Sequence, residues 1–256
     1  MLGGQGASSA ARTNILLMTA TITPDNSPEL ARVDPGLRLD DYAQALSFYI
    51  DQLGRGIDGI VFVENSDSDV STLVMIAKRA GAGDRVEFIA KYGKQSFPSR
   101  DRSYGESRLL DHAMATSRLI REGGEAAVVW KITGRYRVRN LSRMIGTAPA
   151  QFDLYCDIRN RPMHWLDLRF MAWTVQGYDR ILRDVAARLG VDPREPVMHR
   201  YVTTLPDQAG IVPRYRIEPL VDGVRGWDNR SYAEGRALVK YLARAVSRQV
   251  LPFVWI

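Results

Sequence analysis

The sequence contains little cysteine or histidine, and this limits the sites that it can form. Cys156 is the only cysteine among 256 residues, so the chain cannot form an internal disulfide, and we expect a reducing, cytoplasmic compartment. The three histidines, His112, His164 and His199, lack the spacing of zinc ligands. No apolar run approaches the roughly 20 residues that a membrane-spanning helix needs. A disulfide scaffold and a histidine–cysteine metal cluster are therefore excluded.

Several motifs of common nucleotide enzymes and hydrolases are also missing. No G-x-G-x-x-G follows the first apolar segment, and no G-x-x-x-x-G-K-[ST] occurs anywhere in the chain. The G-x-S-x-G turn that carries the nucleophilic serine of α/β-hydrolases is likewise missing. These absences argue against a dinucleotide-dependent enzyme, a P-loop NTPase and a serine hydrolase.

The chain carries a net charge of +6 and an isoelectric point near 9.5. A basic protein can bind nucleic acid or an anionic membrane face, or its arginines can serve an anionic small ligand. The sequence has no run of five or six like charges, and its arginines are spread along the chain. This distribution disfavours nucleic acid as a partner.

The first half of the chain alternates apolar strands with helices. This order predicts an α/β fold with a mostly parallel sheet flanked by helices. Residues 1–13, rich in Gly, Ala and Ser, are expected to form a flexible leader, and 14–256 a single domain. Strands are predicted at 14–21, 57–63, 85–90 and 126–133, and helices at 38–53, 69–80 and 104–122.

The second half has a different pattern. Two apolar segments, 152–158 and 165–173, are joined by a short polar stretch, which predicts an antiparallel hairpin. Residues 208–229 show little periodicity, and such a long loop is often a lid over a functional site. Helices are predicted at 178–189, 196–204 and 231–249, and the tail 251–256 is expected to dock on the body.

Polar residues follow the predicted parallel strands at 19–23, 64–67 and 131–140. In open α/β sheets, ligands bind outside the carboxyl ends of the strands. The sequence therefore predicts a ligand site made of these three segments.

A family resemblance rests on IVFVENSDSD, on YGESRLLDHA and above all on KITGRY, in the order in which they follow the first strand. In this order the chain resembles bacterial glycosyltransferases of polysaccharide assembly, which have the GT-A fold. The resemblance implies that Thr19 and Thr21 contact the base or ribose of a nucleotide-sugar, together with Glu64 and Asn65. A solvated strand end is the alternative interpretation of Glu64.

The start of the predicted helix at Tyr104 and Gly105 offers free N–H groups to an anion, although a simple capped helix start explains it equally well. The resemblance also assigns Arg225, in the late loop DGVRGW, to a phosphate group of the donor. Both assignments extend the expected donor site beyond the first two strands.

The fourth strand departs from the family pattern. Many GT-A enzymes have Asp-x-Asp there to hold a divalent metal, whereas this chain has Lys131, Gly134, Arg135 and Tyr136. Cations can neutralise a leaving diphosphate directly, and Gly134 permits a close backbone approach. We therefore predict metal-independent transfer, with no cofactor, in which Lys131 and Arg135 are catalytic and Tyr136 contacts the donor. The carboxylates of ENSDSD are a weaker, displaced metal candidate.

An inverting transferase needs a general base, whereas a retaining one can act without it. The resemblance implies that this base lies where a helix begins behind the hairpin, and Glu195 matches that position. Three aspartates on or near the hairpin are alternatives: Asp153, Asp157 and Asp167.

The resemblance thus implies a cytoplasmic glycosyltransferase, and the basic surface of the chain would suit the inner face of the cell membrane. Its partners would be a nucleotide-sugar donor, a glycan or lipid-linked acceptor and the membrane surface itself, without nucleic acid. The alternatives are a sugar-nucleotide nucleotidyltransferase, which normally needs a metal, and a basic nucleic-acid-binding protein.

Overall fold

A computed structural model describes residues 12–25, 30–90, 102–206, 210–232 and 234–250. Its strands, in chain order, are β1 (Thr13–Ala20), β2 (Gly59–Glu64), β3 (Val86–Ile89), β4 (Ala127–Thr133), β5 (Arg137–Val138), β6 (Leu154–Tyr155), β7 (Ile158–Arg159), β8 (Trp165–Leu166), β9 (Phe170–Thr174), β10 (Ile211–Val212) and β11 (Val221–Asp222). Its α-helices are α1 (Pro35–Ile50), α2 (Ser71–Arg79), α3 (Arg102–Thr116), α4 (Arg118–Gly123), α5 (Leu141–Thr147), α6 (Val175–Gly177), α7 (Val185–Leu189), α8 (Glu195–Thr204) and α9 (Arg236–Val250).

A seven-stranded sheet with the order β10-β6-β9-β4-β1-β2-β3 forms the centre of the fold. Strands β1 to β4 pair in parallel, while β9 runs antiparallel to both β4 and β6. The predicted α/β class, with a mostly parallel sheet between helices and an antiparallel hairpin in the second half, is confirmed. That residues 14–256 form one domain stays a prediction.

Helices cover both faces of this sheet because the central strands are apolar on both sides. Leu16 and Met18 of β1 pack toward α1 and α2, where Leu46 is part of the same cluster. The alternate residues Ile15 and Leu17 pack toward α3, α4 and α8 on the other face. The period of two along β1 therefore divides the core into two layers.

The strand ends of the first half meet at one edge. Thr19 of β1 lies beside Val63 of β2 and Thr133 of β4 in the register of the sheet. The segments that follow these strands therefore lie together, as the sequence predicts.

Two predicted helices are broken. The helix predicted at 104–122 stops at Thr116, because Ser117 is extended and caps α4 by accepting a hydrogen bond from the N–H of Ile120. Glu87 of β3 also accepts the N–H groups of Arg118 and Leu119 there. The helix predicted at 178–189 is a π-helical turn, Tyr178–Leu182, followed by α7.

The predicted hairpin is present but divided. β6 pairs with β9 in the central sheet, and β7 pairs with β8 in a separate two-stranded sheet. The segment predicted as a loop at 208–229 contributes two short strands, β10 and β11. Most of the expected leader and the tail 251–256 lie outside the described residues, although β1 begins at Thr13. Within the described ranges, no helix combines the length and apolar character that crossing a bilayer requires.

Candidate functional site

A cleft of about 1680 Å³ opens at the carboxyl ends of β1, β2 and β4. It extends between α3, the start of α8, the late loop around β11, and α9. Cationic side chains outnumber acidic ones in its lining, and most of the cations are arginines. The predicted location of the site is therefore a real cavity, and its charge suits an anionic ligand.

The turn after β1 is held open toward the cleft by a set of hydrogen bonds. The hydroxyl of Thr21 donates to Asn65 Oδ1 at 2.7 Å, which joins the ends of β1 and β2. The backbone N–H of Thr21 donates to the Tyr42 hydroxyl at 2.9 Å, and Arg38 Nε donates to the Thr21 carbonyl at 2.7 Å. Thr19, Thr21 and Asn65 line the cleft together, and their contact with a nucleotide stays a prediction.

Glu64 has a different position. Its carboxylate is fully buried and accepts hydrogen bonds from the N–H groups of Ile22 at 3.0 Å and Ser66 at 2.9 Å, and from the Ser66 hydroxyl. It does not line the cleft, so the expectation that Glu64 contacts a nucleotide receives no support from this geometry. Its acceptor capacity is used to hold the turns after β1 and β2 against each other.

Gly134 allows the end of β4 to approach β1. Its N–H donates to the Thr19 carbonyl at 2.8 Å, and a Cβ at this position would lie 2.8 Å from that same oxygen. Only glycine fits without moving backbone. Gly134 does not line the cleft, but it aims the next residue, Arg135, into it.

Arg135 is a buried cation with an unused donor. Its side chain is only 7% exposed, and one terminal nitrogen donates to the Val224 carbonyl at 3.1 Å, while Asp41 lies 3.9 Å away. Its Nε, although buried, has no hydrogen-bond partner among the described residues. Buried donors are normally satisfied, so this N–H is an exception within the wall of the cleft.

Arg225 shows the same feature from the late loop. It pairs with Asp228 at 3.0 Å, and its guanidinium lies 5.6 Å from the ring centre of Tyr232. Its Nε is also buried and, within the described chain, lacks a partner. Tyr232 in turn lies edge-on to Tyr136, with 5.1 Å between the ring centres. Arg225, Tyr232 and Tyr136 line the cleft, whereas Asp228 does not.

The late loop that carries Arg225 is tied across the cleft. The Gly226 carbonyl accepts the N–H groups of Ala31 and Arg32 at 3.0 and 2.9 Å. At its base, Asp222 of β11 pairs with Arg137 at 3.1 Å and Arg139 at 2.6 Å. These contacts fix the loop as one wall of the cavity.

Lys131 is not at the surface of the cleft. It is 1% exposed, its ammonium group lies 2.7 Å from Glu106 Oε1, and it also donates to the Leu168 carbonyl. Glu106, which accepts a hydrogen bond from the Thr19 hydroxyl at 2.8 Å, is the group that lines the cavity. The expectation that Lys131 touches the diphosphate is therefore corrected: a buried lysine positions a carboxylate instead.

The start of α3 only partly matches its prediction. The helix includes Tyr104 and Gly105 in its first described turn, and Gly105 lines the cleft with no atom within 4 Å of its would-be Cβ. Tyr104 does not line it. Residues 91–101, which precede the helix, lie outside the described residues.

Glu195 is the first residue of α8 and faces the cleft. Burial raises the pKa of its carboxyl above the ordinary value, and the nearby carboxylates of Asp167 and Glu106 add to that rise against an opposing backbone hydrogen bond. A raised pKa makes a carboxylate a better proton acceptor near neutral pH.

The three aspartates named as alternatives are occupied. Asp157 and Asp167 are buried in ion pairs with Arg159 at 2.9 and 3.3 Å, and Asp153 pairs with Arg180. Burial alone would raise the pKa of Asp167, but Arg169 and Arg159 hold it well below its usual range. None of the three lines the cleft, so Glu195 is the only one of the four candidate carboxylates that borders the cavity.

Two residues of the cleft wall were not assigned a role from the sequence. Glu106 is recognisable only when β4 and α3 are seen together, and Arg169 only when the hairpin is folded. Arg169 lies 5.0 Å from the Tyr232 ring centre and pairs with Asp167. The sequence offered two signals for these residues: Glu106 is a carboxylate near the start of a predicted helix, and Arg169 is an arginine that follows the β8 segment.

The described side chains include no group of three histidine, cysteine or carboxylate residues that could hold a metal ion. Asp69, in the displaced ENSDSD segment, accepts the N–H and hydroxyl of Ser71 at 2.9 and 2.7 Å. Its carboxylate therefore holds the turn that leads into α2. The side chains of Lys131 and Arg135, in and after β4, are cationic and do not fit a divalent ion.

No protein-family model matches the sequence, and neither does any curated protein. Among solved structures, the chain is similar to a protein of Desulfovibrio desulfuricans described as a nucleotide-diphospho-sugar transferase, at 12% identity over 93% of this chain and 98% of that one, with a TM-score of 0.45. The galactosyltransferase LgtC, in complex with donor and acceptor sugar analogues, matches at 12% identity over 78% and 73%, with a TM-score of 0.44. A cytidylyltransferase from Leptospira borgpetersenii matches at 12% identity over 96% and 97%, with a TM-score of 0.42. We infer no function from likeness at this level.

Proposed function

We propose that this chain is a glycosyltransferase that binds a nucleotide-sugar and transfers its sugar without a metal ion. One observation carries the proposal. Arg135, after the end of β4, and Arg225, from the late loop, line the same cleft although they are far apart in the sequence. Two guanidinium groups in the wall of a cleft at the carboxyl edge of a parallel sheet suit the diphosphate of a nucleotide donor.

The nucleoside would lie at the ends of β1 and β2. Thr19, Thr21 and Asn65 supply hydroxyl and amide groups there, and Gly105, which has open space around it, lines the same cleft. Such groups hydrogen-bond to base edges and ribose hydroxyls. Tyr136 would form the floor beneath the diphosphate, since its ring packs against Tyr232 in the wall.

Arg135 and Arg225 would stabilise the nucleoside diphosphate as it leaves. When the acceptor hydroxyl attacks the anomeric carbon, the bond to the diphosphate oxygen breaks and negative charge grows on that oxygen. Two guanidinium groups that already face the cavity stabilise this charge with little reorganisation. Lys131 then acts as a positioning residue, because its ammonium group holds Glu106 against Thr19.

Glu195 would take the proton of the acceptor hydroxyl. Its carboxylate faces the cleft from α8, and its pKa is raised by burial. A base of this kind typically contributes 10²- to 10⁴-fold to the rate.

The acceptor would be a glycan or a lipid-linked glycan of the cell surface, reached from the cytoplasmic side of the membrane. Helix α9 supports a membrane-proximal position. Lys240, Tyr241 and Arg244 face the cleft, whereas an apolar row on the same helix is exposed to solvent. That row consists of Val239, Leu242, Val246 and Val250. Helices with an exposed apolar face and nearby cations can lie on anionic lipid surfaces.

Product analysis tests the proposal against the nucleotidyltransferase alternative. The protein is incubated with nucleotide-sugars and simple glycan acceptors in EDTA, and separately with nucleoside triphosphates and sugar 1-phosphates in Mg²⁺. Release of a nucleoside diphosphate in the first reaction, lost in Arg135→Met and kept in Arg79→Met on the exposed end of α2, supports the proposal. Release of pyrophosphate in the second reaction only would overturn it.

A further inference from the structure

A second group of arginines lines the cleft away from Arg135 and Arg225. Arg159 of β7, Arg169 between β8 and β9, and Arg244 of α9 all border the cavity. We refer to these three residues as the inner arginine cluster. They come from segments far apart in sequence, so their convergence is a property of the fold.

The carboxylates near this cluster are already shared among other arginines. Asp157 pairs with Arg159 at 2.9 Å and with Arg248 at 2.6 Å. Glu218 pairs with Arg248 at 2.5 Å. Asp167 accepts from Arg159 at 3.3 Å and from Arg169 Nε at 2.8 Å. These three carboxylates are thus paired with three guanidinium groups, those of Arg159, Arg169 and Arg248.

Arg244 is the fourth guanidinium and is left without a counter-ion. It is partly buried, and among the described residues it forms no hydrogen bond and no ion pair within 4.0 Å. Burial lowers the pKa of Arg244, and the like charges of Arg159 and Arg169 act in the same direction, although Glu218 and Asp157 oppose them. With Arg248, four guanidinium groups thus share the three carboxylates of Asp157, Asp167 and Glu218, and Arg244 is the one in direct contact with none of them.

We infer that the inner arginine cluster binds an oxyanion, a carboxylate or a phosphoryl group, carried by the acceptor. The identification of the molecule that carries this anion as the sugar acceptor rests on the proposed function. The cluster lies on the side of the cleft where the hairpin packs against α8, the helix that presents Glu195. An acceptor held there by its anionic group would have its hydroxyl near the proposed base.

The two arginine groups are neighbours. The ring of Tyr232 lies 5.0 Å from the Arg169 guanidinium and 5.6 Å from that of Arg225. An anion in the inner cluster would therefore sit beside the donor diphosphate, as an acceptor must. Guanidinium groups bind carboxylate and phosphate alike, so the probe must separate these two sources.

The test is calorimetric titration of the protein saturated with the nucleoside diphosphate that binds it. Inorganic phosphate, glucuronate and neutral glucose serve as probes, at constant ionic strength. Arg244→Met keeps the apolar stem of the side chain, and Arg79→Met is the matched exposed control. Thermal melts of each variant without ligand accompany the titrations.

We expect phosphate or glucuronate to bind more tightly than glucose, and Arg244→Met to weaken that binding about tenfold or more, as loss of a charge-assisted hydrogen bond does. Binding of the nucleoside diphosphate should be unchanged. Without ligand, Arg244→Met should melt at a higher temperature, since repulsion from Arg159 and Arg169 is relieved. A merely structural role would lower it.

Three results would overturn the inference: equal binding of glucose and the anions, anion binding that survives in Arg244→Met, or loss of nucleoside diphosphate binding in Arg244→Met. The last would assign Arg244 to the donor site. If no nucleotide binds the wild type, the proposed function fails, and the same titrations without nucleotide still decide whether Arg244 holds an anion.

Discussion

Lys131 offers the sharpest test of how the cleft wall is held in place. Lys131→Met removes a 1% exposed ammonium group from Glu106, whose side chain is 29% exposed. Removing one partner of a buried ion pair costs about 3–5 kcal/mol. Glu106 keeps its 2.8 Å hydrogen bond from Thr19 and some contact with solvent. We therefore expect a loss near the lower end, about 3 kcal/mol.

The paired variant isolates the interaction itself. Lys131→Met combined with Glu106→Gln leaves no buried charge, and glutamine still accepts the Thr19 hydroxyl. The double variant should therefore recover about 1–3 kcal/mol relative to the sum of the single changes. Denaturant unfolding monitored by circular dichroism measures each free energy of unfolding. Arg79→Met, on the exposed end of α2, should stay within about 0.5 kcal/mol of wild type.

Strict additivity of Lys131→Met and Glu106→Gln would refute this reasoning, because the two groups would then not interact. A loss under about 1 kcal/mol for Lys131→Met would refute it as well, since an exposed pair is worth no more than that.

Three further changes test other parts of the site. Glu195→Gln should stabilise the protein at pH 7, because ionising a carboxyl whose pKa is raised in the folded state lowers the free energy of unfolding. The gain over wild type should vanish below about pH 4.5, where the carboxyl is protonated in both states. The transfer rate of Glu195→Gln, measured by donor turnover, should fall about 10²-fold or more. Gly134→Ala should lose about 1–3 kcal/mol through contact with the Thr19 carbonyl, whereas Gly146→Ala, with open space around it, should not, by chemical denaturation. Asp222→Asn should loosen the late loop and raise KM for the donor without a matching fall in kcat; an unchanged KM would contradict it.

The sheet and the position of the cleft could be predicted because buried parallel strands have a distinctive composition. Continuous apolar runs identify β1, β2 and β4, and topology places their carboxyl ends together. The boundaries of α3 and α4 could not be predicted. Ser117 ends one helix and caps the next only because Glu87 of β3 accepts its hydroxyl at 2.7 Å.

Individual roles at the strand ends depended on contacts that are distant in sequence. Glu64 and Asn65 are adjacent, yet the carboxylate of Glu64 accepts hydrogen bonds from backbone N–H groups, whereas Asn65 faces the cleft. Lys131 and Arg135 belong to one basic segment, yet the first meets a carboxylate from α3. The part played by Arg244 depends on how α9 crosses the cleft, which no local pattern specifies.

The central claim is that cations of the protein, rather than a metal ion, hold a nucleotide donor. Thermal melts with UDP, GDP, CMP, dTDP and ADP, each with and without EDTA, test it most directly. We predict that one nucleotide raises the melting temperature in EDTA by about 2–4 °C for each kcal/mol of linkage, with about 2.7 kcal/mol at a hundredfold excess over Kd. The shift should disappear in Arg135→Met and persist in Arg79→Met. A shift that requires Mg²⁺ or Mn²⁺, or no shift with any nucleotide, would contradict the account.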